Sequence, residues 1–171
     1  NQAATITDGA GTKTFTYNSS NKLSGENIPY ITGLNAAYVY DNVKRMQNFS
    51  LSTGQTENYS VSYEYNALGM PSALNFGGNV KNYSYIPGTA MLNQTTVKEG
   101  ENTVMTGNYT YDQYKRVTGL SAEVGGTTHT FGYTLNDKNQ RVGATLPNGK
   151  NWTFEYDTLG QLSGAIFKFN E

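Results

Sequence analysis

The side chains that could do chemistry in this sequence are few. His129 is the sole histidine and sits in Thr127-Thr128-His129-Thr130, a β-type run. With no cysteine and no second histidine, a thiolate metal site or a histidine dyad has no ligands to draw on. His129 therefore reads as an ordinary strand residue. Asp41, Asp112 and Asp157 recur at matching places. Carboxylates spaced by a whole repeat could line one face as a calcium or glycosidase site. Asn18, Asn66 and Asn136 fill the same slot elsewhere, however. Acid–base chemistry needs a group that titrates, whereas a turn needs only the side-chain oxygen. The slot is accordingly read as a turn former. Glycine pairs occur, but no Gly-x-Gly-x-x-Gly opens a helix, and neither a Walker pattern nor a nucleophile elbow is present. The expectation is a protein without catalytic, cofactor-binding or metal-binding residues. It is not an enzyme on this reading.

Asn-x-Ser/Thr sequons lie at Asn18, Asn48, Asn58, Asn82, Asn93, Asn108 and Asn151. Asn, Ser and Thr are abundant enough for these to arise by coincidence. Asn82, Asn108 and Asn151 abut aromatic pairs, where glycans would protrude from strands.

The elements that hold these residues follow from an internal repeat. Two aromatics separated by one residue, then Asp or Asn, give Phe15-Thr16-Tyr17-Asn18, Tyr38-Val39-Tyr40-Asp41 and Tyr63-Glu64-Tyr65-Asn66. Tyr83-Ser84-Tyr85-Ile86 loses the Asx, and Tyr109-Thr110-Tyr111-Asp112 restores it. Tyr133-Thr134-Leu135-Asn136 puts Leu in the second ring slot, and Phe154-Glu155-Tyr156-Asp157 completes the set. The fourth slots fall at 18, 41, 66, 86, 112, 136 and 157, at intervals of 20 to 26 residues. Residues 1–171 thus read as a single array of about seven repeats.

Residues i and i+2 of a strand share a face, so each pair lays two rings on one side of a sheet. Phe131 and Trp152 extend two of the stripes. The Asx then opens a turn by accepting backbone N–H bonds. Three residues on stand Asn21, Lys44, Gly69, Thr89, Lys115, Asn139 and Gly160, where a type I turn passes to positive φ. At Lys44, Thr89 and Lys115 this implies strain or a different turn. The pairs that follow begin the returning strand: Lys22-Leu23, Arg45-Met46, Met70-Pro71, Ala90-Met91, Arg116-Val117, Gln140-Arg141 and Gln161-Leu162. Gly77-Gly78, Gly125-Gly126 and Asn148-Gly149 mark the second connections. The fold class expected is all-β: repetitive antiparallel hairpins forming one long twisted or spiralling sheet. Tyrosine, with an OH that needs water or a partner, suits a wall with at least one wet face.

The segments Tyr111-Asp112-Gln113-Tyr114-Lys115-Arg116-Val117 and Tyr156-Asp157-Thr158-Leu159-Gly160-Gln161-Leu162 resemble the YD repeat, also called the RHS repeat. That pattern runs Tyr-Asp, two variable residues, Gly, Arg and an aliphatic. The resemblance covers nearly the whole chain. Departures are that Gly fills its slot only at Gly69 and Gly160, and a basic residue the next only at Lys22, Arg45 and Arg116. Ile86 replaces the acidic position. The resemblance implies a spiralling antiparallel sheet that closes into a hollow shell or barrel. Bacterial toxin complexes and polymorphic toxins use it to enclose a C-terminal payload, and teneurins carry a similar shell outside the cell. Their autoproteolytic segment has an Asp-Pro signature, which this sequence lacks. The implied role is wall only: a structural segment of an extracellular or cell-surface protein, forming a shell, tube or filament.

Thr5-Ile6-Thr7-Asp8-Gly9 reads as the tail of an earlier unit, and Phe167-Lys168-Phe169-Asn170 as a closing strand or a new copy. Both ends therefore suggest a segment cut from a larger array. Open sheet edges recruit other chains, so the expected partners are neighbouring repeats or copies of this chain. An enclosed polypeptide cargo or surface glycans are further possibilities. Balanced charge, 12 basic against 13 acidic residues, leaves no footprint for nucleic acid. No run of about 18 apolar residues spans a membrane as a helix. The alternative function is an adhesive module whose Tyr30, Tyr59 and Tyr114, outside the pairs, stack on sugars or bind protein.

Overall fold

A computed structural model of the chain describes residues 2, 4–54 and 56–169. Every regular element in them is a strand. β1 (Thr5–Asp8) and β2 (Gly11–Tyr17) are followed by β3 (Leu23–Asn27), β4 (Leu34–Tyr40), β5 (Met46–Thr53) and β6 (Thr56–Tyr65). Then come β7 (Pro71–Phe76), β8 (Asn79–Tyr85), β9 (Leu92–Glu99), β10 (Asn102–Tyr111) and β11 (Val117–Val124). β12 (Thr127–Leu135), β13 (Arg141–Thr145), β14 (Asn151–Tyr156) and β15 (Leu162–Lys168) complete the chain. Strand order in the sheet equals chain order. The all-β repetitive fold expected from the aromatic spacing is the one observed. Two compact units, Asn1–Lys81 and Asn82–Glu171, divide inside β8. Each is described by itself.

The even connections are the Asx turns, with Ile86 in the Asx place at β8–β9, and the odd ones are the variable loops. β1 pairs antiparallel with β2, Thr5 facing Thr14 and Asp8 facing Gly11. Phe167 and Lys168 end β15. Asn170, part of the expected closing segment, lies outside the described residues.

The repeat also fixes the register. In the first unit Thr16 faces Gly25, Val39 faces Asn48 and Glu64 faces Ala73. In the second, Thr110 faces Gly119, Thr134 faces Gly143 and Glu155 faces Gly164. After each of these pairs the register slips by one residue, so the second ring slot meets the first residue of the returning strand: Tyr17 meets Leu23, and Tyr111 meets Val117. A bulge of this kind accompanies a type I turn that ends in a left-handed residue.

The two sheet faces differ. On β4 the ring side alternates half-buried and buried, Leu34, Ala36, Tyr38 and Tyr40, while Asn35, Ala37 and Val39 are exposed. Across the first unit the ring side runs Tyr38, Phe49, Val61, Phe76 from strand to strand. Tyr38 and Phe49 lie 5.4 Å apart between ring centres. In the second unit Trp152 meets Phe167 at 4.8 Å. Yet the core is thin. Among described residues the buried apolar side chains are Ala36, Val61 and Ala73, and no large side chain is fully buried. Most domains close a second layer over the apolar face of a sheet. Here, within each unit, that layer is missing from the described residues. The expected wet face is therefore present, and even the ring face is only half covered.

Candidate functional site

The recurring polar constellation is the Asx turn. Asp112 shows its construction. The Asp112 N–H donates to the Arg116 carbonyl at 3.0 Å and the Lys115 N–H donates to the Asp112 carbonyl at 3.0 Å. Asp112 Oδ1 accepts from the backbone N–H groups of Tyr114 (2.9 Å) and Arg116 (3.0 Å). Its Oδ2 accepts from Arg116 Nε at 2.6 Å. Asp41 does the same with Val43, Arg45 and the Arg45 guanidinium, at 3.0, 2.8 and 2.7 Å. Asp157 Oδ1 takes the N–H groups of Leu159 and Gln161 at 2.9 and 2.8 Å. The three recurrent aspartates are thus consumed by their own turns. Asn18, Asn66 and Asn136 hold the equivalent pair of N–H groups with an amide oxygen. This is the turn-forming role expected of the slot. Desolvation by itself would raise the Asp41 and Asp112 carboxyls. The N–H and guanidinium donors outweigh it and hold both below the usual carboxylate range.

Three residues after the Asx, Asn21, Lys44, Lys115 and Asn139 have φ of 60, 69, 64 and 61°, and Gly69 and Gly160 follow suit at 80 and 82°. Lys44 and Lys115 do not change the turn. They accept the left-handed conformation, at about 1–2 kcal/mol each.

The fourth turn departs from expectation. Its left-handed residue is Gly88 (φ 73°), not Thr89. The Ile86 N–H donates to the Met91 carbonyl at 2.8 Å, so the turn is one residue longer than its sisters. Pro87 and Gly88 are the central pair of a tight turn closed by the Thr89 N–H on the Ile86 carbonyl at 3.0 Å, the Pro-Gly order a type II turn demands. The Thr89 hydroxyl donates to the Ile86 carbonyl at 2.9 Å and accepts the Met91 N–H at 3.1 Å. It replaces the missing Asx oxygen from the far side of the loop. Met91-Leu92, rather than Ala90-Met91, is therefore the pair that begins this returning strand.

Each unit also carries links from one repeat to the next that sequence reasoning missed. The hydroxyl of the second ring donates to the first residue of the preceding repeat's returning strand. Tyr40 reaches the Leu23 carbonyl at 2.9 Å, Tyr65 that of Met46 at 2.7 Å, Tyr111 that of Leu92 at 2.8 Å and Tyr156 that of Arg141 at 2.9 Å. The residue closing one turn then stacks on the second ring of the next repeat. Lys22 Nζ lies 4.9 Å from the Tyr40 ring centre, and Arg45 Cζ lies 4.2 Å from that of Tyr65. The signal was in the sequence of the first unit: a cation just after the Asx turn, followed 18 or 20 residues later by a ring with an OH. A second missed feature is a small residue seven after the Asx, at Gly25, Ala73, Gly119, Gly143 and Gly164. It faces the residue between the two rings. A Cβ on Gly119 would stand 2.5 Å from Thr110 Oγ1 and one on Gly25 2.8 Å from Thr16 Oγ1.

Over 92% of this chain a TcdB2-TccC3 structure without its hypervariable C-terminal region superposes with a TM-score of 0.81 at 20% identity. The fold is the β-repeat fold of that toxin chain. TcdB2-TccC3-Cdc42 matches with a TM-score of 0.80 at 19% identity over 92%, and a Photorhabdus luminescens Tc holotoxin pore with 0.78 at 20% over 91%. The chain spans about 9% of the length of each of these chains. No family model and no curated protein matches the sequence. The sheet expected from the YD-repeat resemblance is the sheet that this stretch of the Tc toxin chains adopts.

Within this Tc-type sheet the other candidates are scattered. His129 lies exposed on β12, opposite Ala122. Among the described residues no group of three His, Cys, Asp or Glu side chains is gathered, and no helix is long and apolar enough to cross a membrane. Tyr30 is in the β3–β4 connection and Tyr59 in β6, both of the first unit, and Tyr114 is at the β10–β11 turn of the second. The amide nitrogens of three sequon asparagines already donate: Asn82 to Thr96 Oγ1, Asn108 to Ser121 Oγ and Asn151 to the Gly149 carbonyl. One further ionisable network joins strands: Lys13 pairs with Glu26 at 2.8 Å, and the Tyr38 hydroxyl donates to Glu26 at 2.9 Å. The Lys13 hydrogen bond holds Glu26 low. Burial, and then the Glu26 carboxylate, push Tyr38 up to about 12.

Proposed function

We propose that this chain is a non-enzymatic length of β-sheet wall within a larger extracellular or cell-surface RHS/YD-repeat protein. It would form part of an encapsulating shell, a tube or a filament. The observation that carries the reading is the half-covered ring face: hairpins in chain order with no large side chain fully buried among the described residues. A sheet of this kind leaves its edges and its ring face open to further contacts. It gains stability from further repeats at its edges and from whatever its ring face encloses. The likeness to a short stretch of very long toxin chains supports the same reading. So does the consumption of the recurrent carboxylates by turns. Adjoining repeats, or copies of the chain, would continue the sheet, and a polypeptide cargo would be the natural tenant of a closed shell.

Electron microscopy of the native assembly that carries this chain is the test. A hollow shell, tube or fibre with the chain's density in its wall is the expected result. A compact isolated particle, with the chain free and monodisperse, overturns the proposal.

A further inference from the structure

The second unit contains one break in the repeat that leaves a hole. In the first unit Arg45 and Lys22 each lie over the second ring of the following repeat. Arg116 occupies the same place after its turn, but the following repeat offers Leu135 where the second ring would stand. A hollow of about 640 Å³, open to solvent, lies there, lined by Tyr114, Arg116, Leu135, Asp137 and Asn139.

Its walls are held in place. Arg116 is pinned by Asp112 Oδ2 at 2.6 Å, by the Asn136 carbonyl at 2.7 Å and by Asn139 Oδ1 at 2.9 Å. These bonds lie in the guanidinium plane and leave its π-face as the stacking surface. Arg116 already lies over the Tyr114 ring, with Cζ 5.2 Å from the ring centre, so a guest ring would be the second aromatic group on the same cation. The acceptor is defined by the sister repeats. Tyr40, Tyr65 and Tyr156 each place their hydroxyl on the carbonyl five residues after the preceding Asx slot, at Leu23, Met46 and Arg141. Tyr111 does so six residues after Ile86, across the longer turn. For position 135 the equivalent acceptor is Val117, and leucine has no hydroxyl to offer it.

We infer that this hollow is a docking site for a tyrosine side chain from a separate polypeptide segment. The chain's own repeats specify the guest: a ring that stacks on a fixed cation and a phenol that reaches a strand carbonyl. Cation–π stacking favours an aromatic guest over an aliphatic one. The phenol hydrogen bond favours tyrosine over phenylalanine. The exposed Asp137 beside the hollow offers an acceptor for a guest backbone N–H, which favours a peptide over a free phenol. The inference is independent of the wall reading, because it concerns binding by this chain alone.

The test is NMR on the labelled 171-residue chain, following the Arg116 Nε–H and Tyr114 signals. The probes are acetyl-Ala-Tyr-Ala-amide, its Phe counterpart, p-cresol and a methyl mannoside. The Tyr tripeptide is expected to shift both signals saturably, the Phe tripeptide and p-cresol to bind at least several-fold more weakly, and the mannoside to leave them unmoved. Leu135→Tyr fills the hollow from within and is expected to weaken tripeptide binding at least tenfold. Arg116→Gln, which retains a planar donor but no cation, should also weaken it; this variant keeps the test decisive if Leu135→Tyr fails to fold. The inference is overturned by an unmoved Arg116 in the parent chain, by unchanged binding in both variants, by p-cresol matching the peptide, or by a stronger response to the mannoside.

Discussion

The Asp112 turn and the Ile86 turn close neighbouring hairpins of the same unit by opposite means. At Asp112 a side chain does most of the organising, and the backbone tolerates a lysine at φ 64°. Two N–H groups and a guanidinium converge on one carboxylate. At Ile86 no side-chain acceptor is available, so the residues are chosen for their backbone instead: Pro87 presets one dihedral and Gly88 supplies positive φ. The extra residue then lets Thr89 supply the oxygen that Ile86 lacks. A turn within a repeat can therefore be conserved in outcome while its determinants move from side chain to backbone and shift by one position.

The largest expected effect breaks the backbone-determined turn. Gly88→Val puts a β-branched residue at φ 73°, where nothing crowds the new Cβ but the conformation itself is costly. A loss of about 2 kcal/mol in unfolding free energy is expected from denaturant titration. A value near zero would mean that the Ile86 turn is not held by its glycine.

Next come two substitutions to glycine that should have opposite signs. Lys115→Gly relieves a left-handed residue at about 1–2 kcal/mol and adds unfolded-state entropy of about 0.5–1, for a net gain of about 0.5–1 kcal/mol. Thr89→Gly, at what the aromatic spacing makes the same slot, removes the hydroxyl from Ile86 and Met91 and should cost about 1 kcal/mol or more. Equal signs would collapse the distinction between the two turns.

An effect of similar size tests the staple between them. The Tyr111 hydroxyl donates to the carbonyl of Leu92, the first residue of the strand leaving the Ile86 turn. Tyr111→Phe keeps the ring and should cost about 1 kcal/mol. No loss at all would show that water replaces the bond without penalty.

Much of this was legible in the sequence because it is local. The ring pairs and the Asx oxygens act within six or seven residues, so their spacing declares the hairpins directly. What failed was slightly longer in range. Thr89 occupies the spacing of a left-handed slot, but Pro87-Gly88 already forms the turn before the chain reaches it. That Pro-Gly pair carried the correct register. The Tyr hydroxyl links span 15 to 19 residues and depend on a register slip beside each ring. No single repeat displays them. Gly119 and Gly143 looked like scattered glycines until the register set them against Thr110 and Thr134. The exposed apolar tips Val43, Leu68, Tyr114 and Leu159 recur two residues after their Asx, a period that the turn geometry does not require. Nor could composition reveal that, among the described residues, the ring face lacks a second layer, since half-covered and fully covered rings call for similar residues.

The smallest effect at neutral pH, and the most discriminating in its pH dependence, is Asp112→Asn. Asn136 holds its own turn with an amide oxygen and even donates to Gln140 as Asp112 pairs with Arg116. The variant should therefore fold and keep both backbone N–H bonds, losing the ion pair and the Arg116 Nε–H hydrogen bond that Oδ2 accepts. The Asp112 carboxyl is held below its ordinary value. A depressed carboxyl contributes stability that is fully present above the unfolded pKa and lost as pH falls through the lower folded value. The parent chain should thus be modestly more stable than the variant at pH 7, with the difference shrinking below about pH 4. Glu26, also depressed, titrates in both proteins and cancels in the comparison. The Ile86 turn contains no carboxylate, so the Thr89→Gly difference should stay level across the same range. Thermal melts of all three proteins from pH 7 to pH 2 read both outcomes. A Thr89 difference that tracks the Asp112 difference would show that the two turns share an electrostatic determinant after all.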